Sequence, residues 1–348
     1  MILRQLKQRA NKIDHLQNEF SKITQYATEL QMYIGLQEIE KTTSEATHYI
    51  EYLESGDDFD EKNIKTGRQD QAQYLIPKSI EQIKPSMLRT LTIPEDKKMT
   101  NILACRIFPD GKYLVLDNQS YGSELLLFSN DGIFLRKIAA FRGPSYDACI
   151  VRNNTVAVTL LLATNQTQLV DAEENNIIRT FKLSHACYGV VSDGQMMFIS
   201  SMEKSTMVNL INLSQTILEE VKAHHISLYK GNIYGTIYNE NKVCCYKSTG
   251  EPLWTFMHHD IVKPQGLTLD KNGFVYIASY GNNSIVVISP ENKRCKTILS
   301  EADGIMNPYE IDINSKTGMM IVASEIKKDS NTLKKSIFTD KFSKLNSP

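Results

Sequence analysis

Two histidine doublets and two acidic residues are the side chains in this sequence best suited to metal binding or catalysis. The doublets are His224-His225 and His258-His259, and the acidic residues are Asp147 and Glu310. Neighbouring residues on a β-strand point to opposite faces, so one doublet cannot supply two ligands to one ion. Two carboxylates are also few for calcium, which takes several oxygen ligands. We therefore expect no catalytic residue, no bound metal and no other cofactor.

Other chemical signatures are missing from the sequence. No G-x-S-x-G elbow and no phosphate-binding glycine loop occurs. Six cysteines are scattered through apolar segments, and none belongs to a C-x-x-C pair: Cys105, Cys149, Cys187, Cys244, Cys245 and Cys295. This usage predicts reduced, buried thiols and argues against a zinc ribbon or a redox motif.

The overall charge does not suggest a nucleic acid or an anionic membrane as a partner. Lys+Arg 39 against Asp+Glu 40 gives a formal net charge of -1. No uninterrupted apolar run approaches the roughly 20 residues of a membrane span, and no signal-peptide core follows Met1. We expect a cytoplasmic protein without membrane contact.

Two series of turn residues, in step with each other, divide the chain after residue 85. The first series is Gly111, Asn154, Gly194, Gly231, Gly273 and Gly318, and the second is Gly132, Asn175, Gln215, Gly250 and Asn292. The stretches between them, such as "FVYIAS" and "SIVVIS", are rich in β-branched and aromatic residues. A four-stranded unit repeated about every 40 residues is typical of a β-propeller blade. The predicted fold class is an all-β, six-bladed β-propeller.

The sixth unit, "NPYEIDINSKTGMMIVAS", is too short to supply four strands. We expect "MLRTLTI" (87–93) to contribute its outer strand and "SIFTDKF" a third strand. Pairing the two ends of the propeller in this way would protect the last edge of the ring.

Heptad spacing in the first part of the chain predicts an α-helical coiled coil. The seam residues are Leu6, Ile13, Leu16, Phe20, Ile23, Leu30 and Ile34. We therefore expect a coiled-coil helix at 1–54, a linker at 55–84, the propeller at 85–342 and a tail at 343–348. The seam would mediate self-association; the alternative is a helix that folds back on its own propeller.

Five segments carry a resemblance to a known family: "CYGVVSDG", "ISLYKGNIY", "VCCYKSTGEPLWTF", "PQGLTLDKNGFVYIASYGNNSIVVISP" and "NPYEIDINSKTGMMIVAS". They resemble the NHL-repeat propeller of tripartite-motif (TRIM) proteins, whose architecture also includes a coiled coil. Complete TRIM proteins are ubiquitin ligases through a RING finger, and residues 1–84 contain no cysteine and only two separate histidines, His15 and His48. The resemblance thus implies a non-enzymatic scaffold or adaptor, which could join TRIM relatives through the coil as the substrate-recognition part of a ubiquitin ligase assembly.

One end of the propeller is the predicted binding face. In this strand order, the loops between second and third strands lie on the same face as the connections between blades. That face would collect Tyr121, Tyr146, Tyr188, Lys204, Tyr238, Tyr280, Asn282 and Tyr309. Basic residues there are few, which favours a protein client over single-stranded RNA, the alternative ligand. The third functional hypothesis is a propeller hydrolase with a metal ion in its channel.

Overall fold

The computed structural model describes residues 79–85, 87–91, 101–119, 122–152, 154–160, 165–292, 294–315, 317–329 and 332–341. All of them belong to one compact unit, Pro77–Pro348. The predicted coiled coil with its seam residues, nearly all of the linker, the tail and Tyr121 lie outside the described residues. Within these ranges no helix is long and apolar enough to cross a membrane.

The described residues form twenty-four strands in six antiparallel sheets of four. Sheet 1 consists of β2 (Ile102–Ile107), β3 (Tyr113–Gln119), β4 (Gly122–Phe128) and β5 (Phe134–Arg142). Sheet 2 consists of β6 (Ser145–Arg152), β7 (Thr155–Leu160), β8 (Gln166–Asp171) and β9 (Asn176–Lys182). Sheet 3 consists of β10 (Val190–Ser192), β11 (Met196–Ile199), β12 (Ser205–Asn209) and β13 (Gln215–Leu218).

The remaining three sheets follow the same order. Sheet 4 consists of β14 (His225–Tyr229), β15 (Asn232–Ile237), β16 (Lys242–Lys247) and β17 (Pro252–Met257). Sheet 5 consists of β18 (Pro264–Leu269), β19 (Val275–Ser279), β20 (Ser284–Ile288) and β21 (Cys295–Leu299). Sheet 6 consists of β22 (Met306–Ile313), β23 (Met319–Asp329), β24 (Thr332–Lys341) and β1 (Met87–Thr90). Short 3-10 turns lie at Ile80–Gln82, Tyr238–Glu240, Tyr280–Asn282 and Glu301–Asp303.

The first strands of the sheets stand next to one another in a closed ring. β2 contacts β6, and the contacts continue through β10, β14 and β18 to β22, which contacts β2 again. The prediction of an all-β propeller is confirmed. These first strands are the inner strands, and their side chains converge on the axis of the ring.

The ring closes within sheet 6, where the two ends of the propeller meet. β1 pairs with β24, with Thr90 opposite Phe338, and β24 pairs with β23. β1 therefore supplies the outer strand and β24 the third strand, as the sequence predicted. This pairing covers one edge of β1 and one edge of β24, which would otherwise be exposed.

The hydrophobic core lies between neighbouring sheets. In sheet 5, β19 and β20 are buried at every position because both of their faces pack against other sheets. The outer strand β9 is mostly exposed, and its Ile177 and Ile178 are about half exposed. Burial thus falls from the inner and middle strands to the outer ones.

Most predicted turn positions have the left-handed backbone that glycine and asparagine tolerate. Gly111, Gly194 and Asn292 are examples, with φ of 90°, 91° and 56°. The prediction for Gln215 is wrong, since this residue begins β13 and the left-handed residue of that turn is Leu213, with φ of 64°. The turn is held instead by the side chain of Asn209, which accepts the N–H groups of Ile211 and Asn212 at 2.8 and 3.1 Å.

Candidate functional site

A cluster of charged side chains closes the propeller axis. Arg106 of β2 lies 2.6 Å from Asp147 Oδ1 on β6 through Nη2, and 3.2 Å from Glu310 Oε1 on β22 through Nη1. Glu310 Oε2 lies 3.1 Å from Nδ1 of His225 on β14, whose Nε2 lies 3.2 Å from Gln265 Oε1 on β18. Five of the six inner strands therefore contribute to one polar network.

Hydrogen bonds stabilise the buried charges of Asp147 and Arg106, which would otherwise be costly. Asp147 and Glu310 are almost fully buried. Asp147 accepts the backbone N–H of Val190 at 3.0 Å and of Ala148 at 2.7 Å in addition to its contact with Arg106. The guanidinium of Arg106 also donates to the carbonyl of Cys105 at 2.8 Å. Such extra hydrogen bonds are what allow a buried ion pair to offset its desolvation.

The two carboxyl groups have different proton affinities. Burial raises the pKa of Asp147 to about 6, and Arg106 opposes that rise. Burial also acts on Glu310, but Arg106 and His225 outweigh it and hold the pKa of Glu310 below its usual value. For Arg106, burial favours the neutral form, but Glu310 and Asp147 prevail and raise its pKa well above the ordinary value. Glu310 is therefore the more firmly ionised of the two acids.

A backbone position without a side chain makes room for Glu310. A Cβ atom at Gly266 would overlap with the Glu310 carboxylate and would lie 2.8 Å from its Cα. Real Cβ atoms do not approach other heavy atoms so closely, so this position in "PQGLTL" requires glycine for close packing. Gly266 follows Gln265 in β18. Gln265 contacts His225 and Gly266 packs against Glu310, so the two residues flank the His225–Glu310 contact.

Metal binding at the axis is opposed by the cation already there. Asp147, His225 and Glu310 each offer a ligand atom, and these atoms lie within 4.8 Å of one another. The guanidinium of Arg106 contacts both carboxylates. Its positive charge would repel a divalent ion that approached these carboxylates. The axial cluster thus neutralises its acids with a side chain.

Next to the cluster, six rings form a continuous contact series, here called the aromatic row. Its members, in order of contact, are Tyr238, His224, Tyr188, Tyr146, His225 and Tyr309. Successive centroids are 6.1, 5.8, 4.9, 5.1 and 5.6 Å apart. These separations are typical of favourable aromatic pairs. The row joins sheets 2, 3, 4 and 6 at one end of the ring.

The row leaves its members partly accessible. Tyr146, Tyr188, Tyr238 and Tyr309 are half-buried. Burial raises the pKa of Tyr146 and Tyr309, so both phenols remain neutral donors at physiological pH. The imidazole Nδ1 of His224 accepts the backbone N–H of Tyr238 at 3.2 Å, which fixes the ring between its neighbours. Burial also lowers the pKa of His224 to about 4.

Several residues of the predicted binding face fall in or near the row. Tyr146, Tyr188, Tyr238 and Tyr309 are members, and Tyr309 also packs against the hydrophobic core. Tyr280 and Asn282 begin and end a 3-10 turn, and Asn282 Nδ2 donates to the carbonyl of His259 at 3.2 Å. Lys204 lies in the loop between β11 and β12. These residues remain a predicted binding face.

Sequence reasoning missed Arg106 altogether. Its signal was a single charge between Cys105 and Ile107 in an otherwise apolar strand. A charge at a buried strand position needs a partner, and Asp147 and Glu310 were the acids available on other inner strands. The sequence analysis considered these two acids only as metal ligands, and the structure brings them together on Arg106.

Beyond the charged cluster the axis opens into a cavity of about 440 Å³. All six inner strands line it, and its walls include Arg106, Cys149, Ser192, Ser227, Thr268 and Asp312. Asp312 is tied to the wall, since its Oδ2 accepts the backbone N–H of Ile107 at 2.8 Å. Arg106 therefore borders this cavity as well as belonging to the cluster.

Comparison with known proteins identifies the fold. No family model matches the chain, and no curated protein matches it. A structure of catalytically inactive virginiamycin B lyase from Staphylococcus aureus with quinupristin is 12% identical, covering 73% of this chain and 98% of that one, with a TM-score of 0.53. A protein of unknown function from Bacteroides thetaiotaomicron is 13% identical over 74% of this chain and 72% of that one, with a TM-score of 0.56.

These similarities correct one expectation. The sequence led us to expect a protein that is not an enzyme, because the family's RING module is missing from the chain. Streptogramin B lyase, a second lyase structure with a TM-score of 0.52 and 12% identity, is an enzyme with this type of propeller. The absence of a RING finger therefore does not decide whether the protein is an enzyme, because a propeller fold can itself carry a catalytic site. At this level of identity the similarity establishes the fold alone.

Proposed function

We propose that the protein is a recognition module that binds a protein client on the end of the propeller formed by the aromatic row. The single observation that carries this proposal is the continuous contact of six rings, with four half-buried tyrosines among them. Tyrosine offers a large apolar surface and a hydrogen-bonding tip at low entropic cost, which suits a protein interface.

The charges around the row favour a protein client over RNA. Lys263 Nζ lies 5.9 Å from the ring centroid of Tyr238, and the half-buried Lys204 lies in the loop between β11 and β12. A single-stranded RNA site would need a basic groove beside its stacking rings. Two lysines form a weaker electrostatic site than such a groove, so RNA is the less favoured ligand.

The resemblance to TRIM proteins extends the proposal to the whole chain. The six sheets would be the blades of an NHL-type propeller, and the heptad seam at 1–54 would bring chains together or join TRIM relatives. In such an assembly the propeller would present the client to a ubiquitin ligase. Leu16→Asp with Ile23→Asp should then abolish self-association while the propeller stays folded. An unchanged mass in light scattering would count against this part of the proposal.

Peptide selection tests the binding face directly. A phage-displayed random peptide library is panned on the immobilised full chain, and the enriched peptides are titrated by fluorescence anisotropy. Tyr188→Ala and Tyr238→Ala should each weaken binding at least about tenfold, which corresponds to about 1.4 kcal/mol.

Tyr229→Ala is the matched control. Tyr229 ends β14 at the opposite end from His225, and its hydroxyl donates to the carbonyl of Lys271 at 3.0 Å. Its removal should leave peptide affinity unchanged. Equal affinity of the wild type and both row variants would exclude the aromatic row. A steep loss of affinity with salt for a random single-stranded RNA pool, together with failure of the peptides, would favour RNA.

A second candidate function is acid–base catalysis at the same end of the ring. Asp147 and Glu310 share Arg106, and their environments move their pKa values in opposite directions. Such divergence is a known signature of an acid and a base with separate roles. Conversion of quinupristin by the full chain, followed by mass spectrometry, is the first assay. Turnover that Asp147→Asn abolishes would support catalysis, whereas an unmodified ligand or turnover that survives the substitution would not.

A further inference from the structure

We propose that His258, Asp260 and Cys295 bind a zinc ion, with His259 as the fourth ligand. One ligand atom from each of the first three residues lies within 4.8 Å of the other two. All three residues are half-buried, so the position is accessible to an incoming ion. None of the four residues belongs to the aromatic row, and the proposal does not depend on the function proposed above.

The two histidines lie in a turn, which corrects the reasoning that kept them apart. β17 ends at Met257, so His258 and His259 are not strand residues and the alternation of strand faces does not apply. Their ring centroids are only 4.1 Å apart. His258 Nδ1 lies 3.6 Å from Asp260 Oδ2, and His259 Nε2 lies 3.2 Å from Asp260 Oδ1. Both imidazoles therefore flank one carboxylate.

Hydrogen bonds within the turn and from the end of β19 and the 3-10 turn after it hold these residues in place. The N–H of Ile261 donates to the carbonyl of His258 at 3.0 Å, and Ser279 Oγ donates to the carbonyl of Asp260 at 2.9 Å. The carbonyl of His259 accepts Asn282 Nδ2 at 3.2 Å. Fixed ligands lose less entropy when a metal binds, which favours affinity. The 83% exposed side chain of His259 is free to rotate toward an ion held by the other three residues.

Cys295 brings a thiol to the turn from a different strand. It is the first residue of β21, and it packs with Phe256 of β17 against the core of sheets 4 and 5. Phe256 in turn stacks on His258, with an interplanar angle of 15° and a centroid separation of 6.2 Å. Packing thus places the sulfur and the imidazole on the same side of the outer strands.

The donor types select zinc among the common metal ions. Thiolate, imidazole and carboxylate are all zinc ligands, and four of them complete a tetrahedral site. Calcium and magnesium prefer oxygen ligands throughout, and only Asp260 offers oxygen here. The sequence-based expectation of no metal rested on the opposite strand faces of each histidine doublet, on the small number of carboxylates and on the lack of a C-x-x-C pair, and none of these reports ligands that come together from a turn and a separate strand.

The charge balance distinguishes this cluster from the axial one. At the axis, Arg106 neutralises both carboxylates. In the described part of the chain, no lysine or arginine lies within ion-pair distance of Asp260, whose contacts there are the two histidines. A divalent cation would neutralise Asp260 and a Cys295 thiolate together, and its binding would release the thiol proton.

Cobalt serves as a spectroscopic probe for the site. Purified full chain, reduced and freed of metal, is titrated with Co²⁺ and then with Zn²⁺. We expect a thiolate-to-cobalt charge-transfer band that saturates at one ion per chain and disappears when zinc displaces cobalt. Zinc should also raise the thermal unfolding midpoint of the wild type.

Variants decide whether the band comes from this site. Cys295→Ser should abolish it, and Asp260→Asn, on the turn, should weaken zinc binding at least about tenfold. Cys187→Ser is the matched control: its thiol belongs to the core of sheets 2 and 3, and it should keep the band. Absence of stoichiometric zinc binding, or an unchanged band in Cys295→Ser, would overturn the proposal. If Cys295→Ser does not fold, unchanged zinc affinity in Asp260→Asn would do the same.

Discussion

Arg106 and Asp147 lie on neighbouring inner strands, 2.6 Å apart from Nη2 to Oδ1, although 41 residues separate them in the chain. The contact joins sheet 1 to sheet 2, and through Glu310 the same guanidinium joins sheet 1 to sheet 6. One side chain therefore connects three consecutive sheets of the ring at the axis.

Replacement of Arg106 by methionine should strongly destabilise the fold. Two buried carboxylates would lose their common cation, and breaking a buried pair from one side typically costs about 3–5 kcal/mol. Chemical denaturation measures the free energy of unfolding. Lys247→Met, which removes an exposed pair with Glu251, is the control and should cost less than about 1 kcal/mol. A loss below about 1 kcal/mol in Arg106→Met would contradict this role for the network.

Gly266→Ala should destabilise the protein through Glu310. The added methyl group would displace the carboxylate from Arg106 and His225, and overpacking of this kind costs about 1–3 kcal/mol. A double-mutant cycle with Glu310→Ala measures whether the two positions interact. We expect a coupling free energy of at least about 1 kcal/mol. Strict additivity would show that the methyl group clashes with something other than the Glu310 side chain.

His224 should make stability fall as the pH drops from about 6.5 to 4. Burial lowers the pKa of His224 to about 4 in the folded protein, below the unfolded value of about 6.5. The unfolded chain therefore binds the proton first, and the stabilising contribution is complete above pH 6.5 and lost through this window. Its size, allowing for partial exposure, is about 1–2 kcal/mol.

His224→Asn tests this pH dependence. The amide oxygen of asparagine can still accept the N–H of Tyr238, which His224 Nδ1 accepts in the wild type. Because Asp147, Glu310 and His185 also have shifted pKa values, the informative quantity is the difference between variant and wild type. We expect a flatter curve of unfolding free energy between pH 4 and about 6.5. Parallel curves for His224→Asn and wild type would contradict the prediction.

Leu213→Gly should stabilise the turn between β12 and β13 by about 0.5–1 kcal/mol. A non-glycine residue in the left-handed region costs about 1–2 kcal/mol, and glycine removes this cost at the price of some unfolded-state entropy. Leu213 is 37% exposed, so little burial is lost. Ile211→Gly in the same turn, which has an ordinary φ, should destabilise. Loss of stability in Leu213→Gly would show that its packing outweighs the strain.

The sequence predicted the propeller because turn spacing and strand composition are local signals. The closing strand at Met87–Thr90 was also predictable, since the last repeat lacked a strand. The axial network was not, because Arg106, Asp147, His225 and Glu310 come from four sheets and their inward direction depends on strand twist. Alternation predicts which face a residue occupies but not how far along the axis it lies. The grouping of His258, Asp260 and Cys295 was hidden for a related reason, because a turn and a separate strand meet only after folding.

The pairing of β1 with β24 sets an order of events during protein synthesis. β1 leaves the ribosome before the strands of the first five sheets, and its partner emerges only after some 240 further residues have been translated. The first five sheets have all of their strands before that time, whereas the sixth has to wait. A nascent chain therefore carries an unmatched strand while the first five sheets are being made, and the ring becomes continuous only after β24 has been translated.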